Sequence, residues 1–161
     1  MEKRFIVDSM LGSTVKWLRL LGFDAEYDPH ALDEALLGKA AAEKRVLLTG
    51  DVNLYRKALK QSIETCLLQG AKEAERLAAL AERFGMIPKV DPARSRCIVC
   101  NVPIERIDKG LVEGKVPKKV YDAHDEFWTC RSCTRVYWLG SHVKKMQSIL
   151  EEVKAILDTM S

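Results

Sequence analysis

No apolar run in this chain approaches the roughly 20 residues that a membrane-spanning helix requires. The opening residues, MEKRFIVDSM, are basic at the start but lack an apolar stretch of signal-peptide length. Both absences predict a cytoplasmic protein with no membrane partner. There is no internal repeat and no low-complexity tract, which argues against a solenoid or a disordered tail. Cysteine is nearly missing from residues 1–91, where Cys66 stands alone inside the apolar run TCLLQ and reads as a buried small hydrophobe. The other four cysteines lie in two Cys-x-x-Cys pairs, a spacing that together with a reducing compartment argues against a disulfide framework.

What is present is an ordinary globular composition, 47% apolar and 30% charged over 161 residues. That length accommodates one core of roughly 100 residues and a small module. Residues 1–91 hold 14 Lys/Arg and 14 Asp/Glu, whereas residues 92–161 hold 12 and 9, so the net charge of +3 sits in the cysteine-bearing half. Such an asymmetry favours a polyanionic partner.

The first half alternates short apolar runs with amphipathic stretches. RFIVD, DAEYD, VLLTGD and ETCLLQG read as strands. SMLGSTVKWLRLLGF, PHALDEALLGKAAAEKR, VNLYRKALKQ and AKEAERLAALAERFG read as helices, with Ser9 placed to cap the first of them and Gly22 to end it. This order predicts an α/β fold with a mainly parallel sheet flanked by helices. The Pro- and Gly-punctuated stretch GMIPKVDPARS breaks the pattern, giving expected domains of 1–91 and 92–161. The chain ends in an amphipathic helix whose apolar stripe, Val143 to Leu157, is expected to pack on the rest of the protein.

Cys97, Cys100, Cys130 and Cys133 form C-x2-C-x29-C-x2-C. Two such knuckles give four thiolates on one ion, a closed tetrahedral shell suited to structural zinc; an iron centre also accepts four thiolates. The module around them is too small to hold itself together by its core alone, so the metal is expected to stabilise it. Nine basic residues surround the knuckles: Arg94, Arg96, Arg106, Lys109, Lys115, Lys118, Lys119, Arg131 and Arg135. They interleave with Tyr121, Phe127, Trp128, Tyr137 and Trp138, a mixture that suits phosphates and unpaired bases, although at least half of the rings are expected in the ribbon's own core.

Asp8 and Asp51 each close an apolar strand. In a parallel sheet such ends share one edge, where active sites gather. Carboxylates brought together there repel unless a cation bridges them, which is the logic of a magnesium or manganese site acting on phosphodiesters. Asp33, opening the next helix, is the third candidate, and its plain alternative is a helix-start acid.

FIVDSMLGSTVKWLRLLGFD, VLLTGDVNL, RCIVCNVPI and FWTCRSCTRVYWLGSH, in this order, resemble the Mut-seven C-terminal ribonuclease family over residues 4–55 and 94–146. The resemblance implies a PIN-like nuclease domain joined to a zinc ribbon, and metal-dependent cleavage of RNA. Asp8 then matches the acid of the first strand, Asp51 the acid of the Thr-x-Asp strand end, and Asp33 the acid that related PIN-like domains carry at a helix start. The family usually has Arg before the second acid, where this sequence has Gly50; Lys16, Arg19 and Arg56 are candidate replacements for that cation. His142 falls in the matched ending and reads as a ribbon-packing or RNA-contact residue. The alternative to an enzyme is a non-catalytic RNA- or ribosome-binding adaptor, for which Gly50 speaks.

Overall fold

The structure, a computed structural model, describes residues 2–70 and 72–161. Four short strands, β1 (Phe5–Val7), β2 (Ala25–Tyr27), β3 (Val46–Thr49) and β4 (Thr65–Leu67), form a fully parallel sheet in the order β2-β1-β3-β4. Every residue of β1 and β3 is buried, because helices cover both faces of the sheet. Alternate side chains feed two cores. Phe5, Val7, Val46 and Leu48 pack against α1 (Gly12–Leu20) and α4 (Glu73–Phe84), while Ile6 and Leu47 pack against α2 (Asp33–Glu43) and α3 (Val52–Lys60).

The chain winds outward from β1 to β2, then crosses back to β3 and on to β4. The direction therefore reverses between β1 and β3, the place where open α/β sheets leave a crevice beyond their strand ends. The α/β fold with a parallel sheet stands as the alternation predicts. Two local readings change. Asp8, not Ser9, caps the first helical segment, since its carboxylate accepts from the Ser9 N–H and Ser9–Leu11 form a 3-10 turn before α1. The helix read from PHALDEALLGKAAAEKR stops short of its last two residues: Lys44 adopts φ 53 and ends it, and Arg45 turns into the sheet edge, donating to the Phe5 carbonyl.

A second, antiparallel sheet is built from β5 (Glu105–Ile107), β6 (Phe127–Thr129) and β7 (Val136–Tyr137), with the short helix α5 (Lys118–Ala123) between the first two. The last helix, α6 (His142–Met160), lays Leu150 and Val153 against Trp17, Leu21, Ala74, Leu77 and Ala78 of α1 and α4. The final helix thus closes over the first α/β layer. Among the described residues no helix is long and apolar enough to cross a membrane.

Candidate active site and metal centre

Asp8 sits one residue beyond β1, where its N–H still reaches the Leu48 carbonyl at 2.9 Å and continues the ladder to β3. Its side chain is only 6% exposed. One oxygen accepts from the Ser9 N–H at 2.8 Å and the other from the Thr49 hydroxyl at 2.8 Å. That same hydroxyl oxygen accepts the Asp51 N–H at 3.0 Å. Thr49, the last residue of β3, therefore ties the two strand-end aspartates together across the switch point. Asp51 in turn caps α3, its Oδ1 accepting from Asn53 N–H at 2.8 Å and Leu54 N–H at 3.4 Å. Its second oxygen has no hydrogen-bond partner among the described residues, and the residue is half-buried.

Asp33 opens α2 on the same edge, because β2 lies beside β1 and delivers its helix there. It is half-buried, and its carboxylate has no hydrogen-bond partner among the described residues. The edge thus carries all three predicted acids, but it does not close them on one another. Among the described residues only the four cysteines bring three or more Cys, His, Asp or Glu ligand atoms within 4.8 Å.

One acid on this edge escaped the sequence reading. Glu73, in the first turn of α4, accepts from the Ser13 and Thr14 hydroxyls at 2.6 and 2.8 Å and from Arg76 at 2.7 Å. Being fully partnered, it clamps the first turn of α1 to that of α4. From the other side, the Tyr27 hydroxyl donates to the Ser9 carbonyl at 2.9 Å and lies 3.0 Å from where a Cβ on Gly12 would sit. The segment that follows Asp8 is held from two directions, and Gly12 leaves room for it. An acid at a helix start is too common a feature to have marked Glu73 in advance.

The candidate cations divide. Lys16 and Arg56 are exposed, but Arg19 is 7% exposed and donates to the Ala25 carbonyl at 2.8 Å and the Ile98 carbonyl at 2.8 Å. It is a strut between α1 and the first knuckle, so it cannot replace the family's arginine. Gly50 is half-buried, and a Cβ there would meet the Leu68 carbonyl at 3.3 Å.

At the cage, the Cys97 and Cys133 sulfurs are 3.7 Å apart, and the ligand atoms of all four cysteines lie within 4.8 Å of one another. A tetrahedral zinc with bonds of about 2.3 Å separates its sulfurs by about 3.8 Å, so the donor set fits that ion. Both knuckles use one turn. Asn101 and Thr134, each following its pair, have φ 63; their N–H groups return to the carbonyls of Cys97 and Cys130 at 2.9 and 2.8 Å. Burial pushes the Cys97 thiol up, but hydrogen bonds from the Tyr137 hydroxyl and from backbone N–H groups outweigh it and hold it at about 7. The Cys100 thiol, hydrogen-bonded to Cys133 and desolvated, is pushed up to about 11. Metal uptake must displace that proton, so affinity rises with pH.

The same φ predicts opposite outcomes at the two turns. Thr134 is exposed and β-branched, so Thr134→Gly relieves strain and should stabilise the ribbon by about 1 kcal/mol. Asn101→Gly instead removes hydrogen bonds to Asp24 (2.7 Å) and to the Ala25 N–H (3.1 Å) and should cost about 1–3 kcal/mol. Thermal unfolding of the zinc-loaded variants, shifted in opposite directions, checks both.

The Asn101 bonds also locate the ribbon. Ser95, Arg96 and Asn101 attach to Leu20, Arg19, Asp24 and Ala25, at the end of α1 and the start of β2. That is the edge of the sheet opposite Asp8 and Asp51. Arg45, 6% exposed before β3, braces it by pairing with Asp24 at 2.8 Å. Burial raises the Asp24 carboxyl, but hydrogen bonds from Arg45 and Asn101 outweigh that and keep it below the usual carboxylate range. Most of the ribbon's cations are engaged: Arg106 with Glu126, Lys109 with Asp125, Arg131 with Glu105, Arg94 with Glu2, and Arg96 with the Asn101 carbonyl. Phe127 and Trp128 are buried, the Tyr137 hydroxyl rests on Cys97 Sγ, and Trp138 packs against Phe127.

Neither the curated proteins nor the solved structures contain a match to this chain. One protein family does match, that of the Mut7-C RNAse domain, over residues 3–150. A parallel α/β sheet and a four-cysteine cage within that span agree with it, and the chain belongs to the Mut7-C RNase domain family.

Proposed function

We propose that this protein is an endoribonuclease that hydrolyses phosphodiesters of single-stranded RNA at the edge bearing Asp8, Asp51 and Asp33. The observation that carries this reading is the pairing of Asp8 and Asp51 on adjacent strand ends through the Thr49 hydroxyl. The fixed partners hold the Asp8 and Asp51 carboxylates in place, while the second oxygen of Asp51 and the Asp33 carboxylate have no hydrogen-bond partner among the described residues. An edge with two firm carboxylates and one free acid suits magnesium or manganese, ions that keep several waters and take few protein ligands. Such an ion, held by Asp8 and Asp51 with Asp33 beside them, would supply positive charge against the charge that builds on the phosphate. Zinc in the cysteine cage would be structural, its four positions filled by protein.

The rim of the edge favours an unpaired substrate. Met10, after Asp8, and Leu32, before Asp33, are 72% and 77% exposed, more than any other large apolar side chain among the described residues. Unstacked bases can rest on such groups, whereas a duplex presents only its sugar–phosphate walls. Lys115, Lys118, Lys119 and Arg135, which carry no ion pair among the described residues, give the ribbon a second, more distant surface for RNA.

Gly50 favours a second reading, a non-catalytic RNA- or ribosome-binding adaptor, since the side chain usual before the second acid is missing. A manganese titration with labelled single-stranded RNA separates the two. Cleavage that appears with the ion and stops with a chelator is the expected result; binding without cleavage at any manganese concentration selects the adaptor.

A further inference from the structure

Helix α3 begins at Asp51, which caps it, and runs from the acid-bearing edge along the outside of the sheet. Leu54 and Ala58 face the core. Asn53, Arg56, Lys57 and Lys60 are exposed and fall at i, i+3, i+4 and i+7, one continuous outward stripe. Arg56, Lys57 and Lys60 take part in none of the ion pairs among the described residues. The stripe extends about 10 Å at 1.5 Å per residue, enough to meet about two successive phosphates of an extended strand. Lys57 and Lys60 near the helix C-terminus also complement its dipole, but that accounts for neither Arg56 nor the alignment of all three cations with the Asp51 cap.

We infer that the outward face of α3 is the principal phosphate track for RNA, the surface along which the strand leaves the acid-bearing edge. The inference rests on the ribonuclease reading and goes beyond it by assigning the grip to α3 rather than to the ribbon. Two observations support that assignment. The first knuckle docks on the far edge of the sheet, and five of the nine cations around the ribbon are already engaged. The chemistry at α3 is that of a flexible anionic backbone: two Lys and one Arg on a rigid helix, with the Asn53 amide beside the cap. Phosphate contacts of this kind set register and carry no base preference.

The test uses two full-length triple variants that lose equal charge. One is R56Q/K57Q/K60Q, the other K115Q/K118Q/K119Q. Each is measured against a labelled, unstructured RNA in calcium or chelator, so that binding is read without turnover, over a range of salt. The α3 variant is expected to bind roughly 10- to 100-fold more weakly at ~50 mM salt and to lose about 2 from the slope of log affinity against log salt. The ribbon variant is expected to lose less than the α3 variant in both quantities. Equal losses in the two variants, or a larger loss in the ribbon variant, overturn the inference, as does unchanged binding by the α3 variant. Absence of RNA binding by the unmutated protein would instead remove the ribonuclease reading itself. Circular dichroism and thermal unfolding check the fold of both variants; unchanged helix content is expected, since all six substituted residues are exposed and Gln is a good helix former.

Discussion

Asp8→Asn will lower RNA cleavage at least about a hundredfold, leaving RNA affinity and folding nearly unchanged. The size follows from charge: a divalent ion that offsets charge on a phosphate contributes several kcal/mol at the transition state, and about 1.4 kcal/mol is tenfold in rate. Asparagine keeps the shape and one acceptor. Its Oδ1 can take the Ser9 N–H, and its amide can donate to the Thr49 hydroxyl, which already accepts from Asp51 and turns its own proton elsewhere. The expected stability change is therefore about 1 kcal/mol or less, although Asp8 is almost buried. The measurement is single-turnover cleavage in manganese beside filter binding and thermal unfolding. Undiminished cleavage by the purified variant would remove Asp8 from the chemistry. A collapse in unfolding temperature would show that Asp8 serves the fold, through the bond from Thr49.

Much of this edge can be read from the sequence because strand ends are local events. RFIVD and VLLTGD announce both the buried strand and the acid that leaves it, and four apolar runs, each followed by a helical stretch, point to a parallel sheet. What cannot be read locally is which strand lies beside which. The adjacency of β1 and β3, on which the Thr49 link between Asp8 and Asp51 depends, arises from a crossover that reverses direction after β2. Arg19 shows the same limit. From the sequence it reads as a cation free to replace the family's arginine, yet the carbonyls that hold it belong to Ala25 and to Ile98, 79 residues away. The cap at the first helix failed for a more local reason. Asp8 and Ser9 are both good capping residues, and the choice was made by β1 ending one residue earlier than the Ser9 reading assumed. The cysteine cage was legible because four identical ligands at fixed spacing leave little freedom, and its chemistry needs no knowledge of the sheet order.

The cage gives the largest expected structural effect. Stripping zinc with a strong chelator, or Cys130→Ser, should unfold the ribbon while the four-stranded sheet persists. The ribbon's own core is small, Cys97, Ile104, Trp128 and Cys130 with a few half-buried neighbours and the buried Val112 and Phe127, and strands of two or three residues cannot hold three-stranded pairing without the metal. Apparent zinc binding energies of roughly 10–16 kcal/mol in small finger peptides exceed anything such a core supplies. The sheet, by contrast, is closed by α1 to α4 and by α6, and α6 contacts α1 and α4 without using the cage. Loss of the ribbon releases Asn101 from Asp24 and removes the Ile98 carbonyl from Arg19, a cost confined to the edge opposite the aspartates. Hydrogen exchange should therefore lose protection over roughly residues 95–138 and keep it in β1, β3 and β4. Cleavage of a short RNA in manganese should survive zinc loss, whereas cleavage of a long one should weaken as the ribbon's distant cations are lost. Metal analysis of the intact protein should give one zinc per chain. Ribbon amides that stay protected after the metal is gone would show that packing on α1, and not the four thiolates, holds this module.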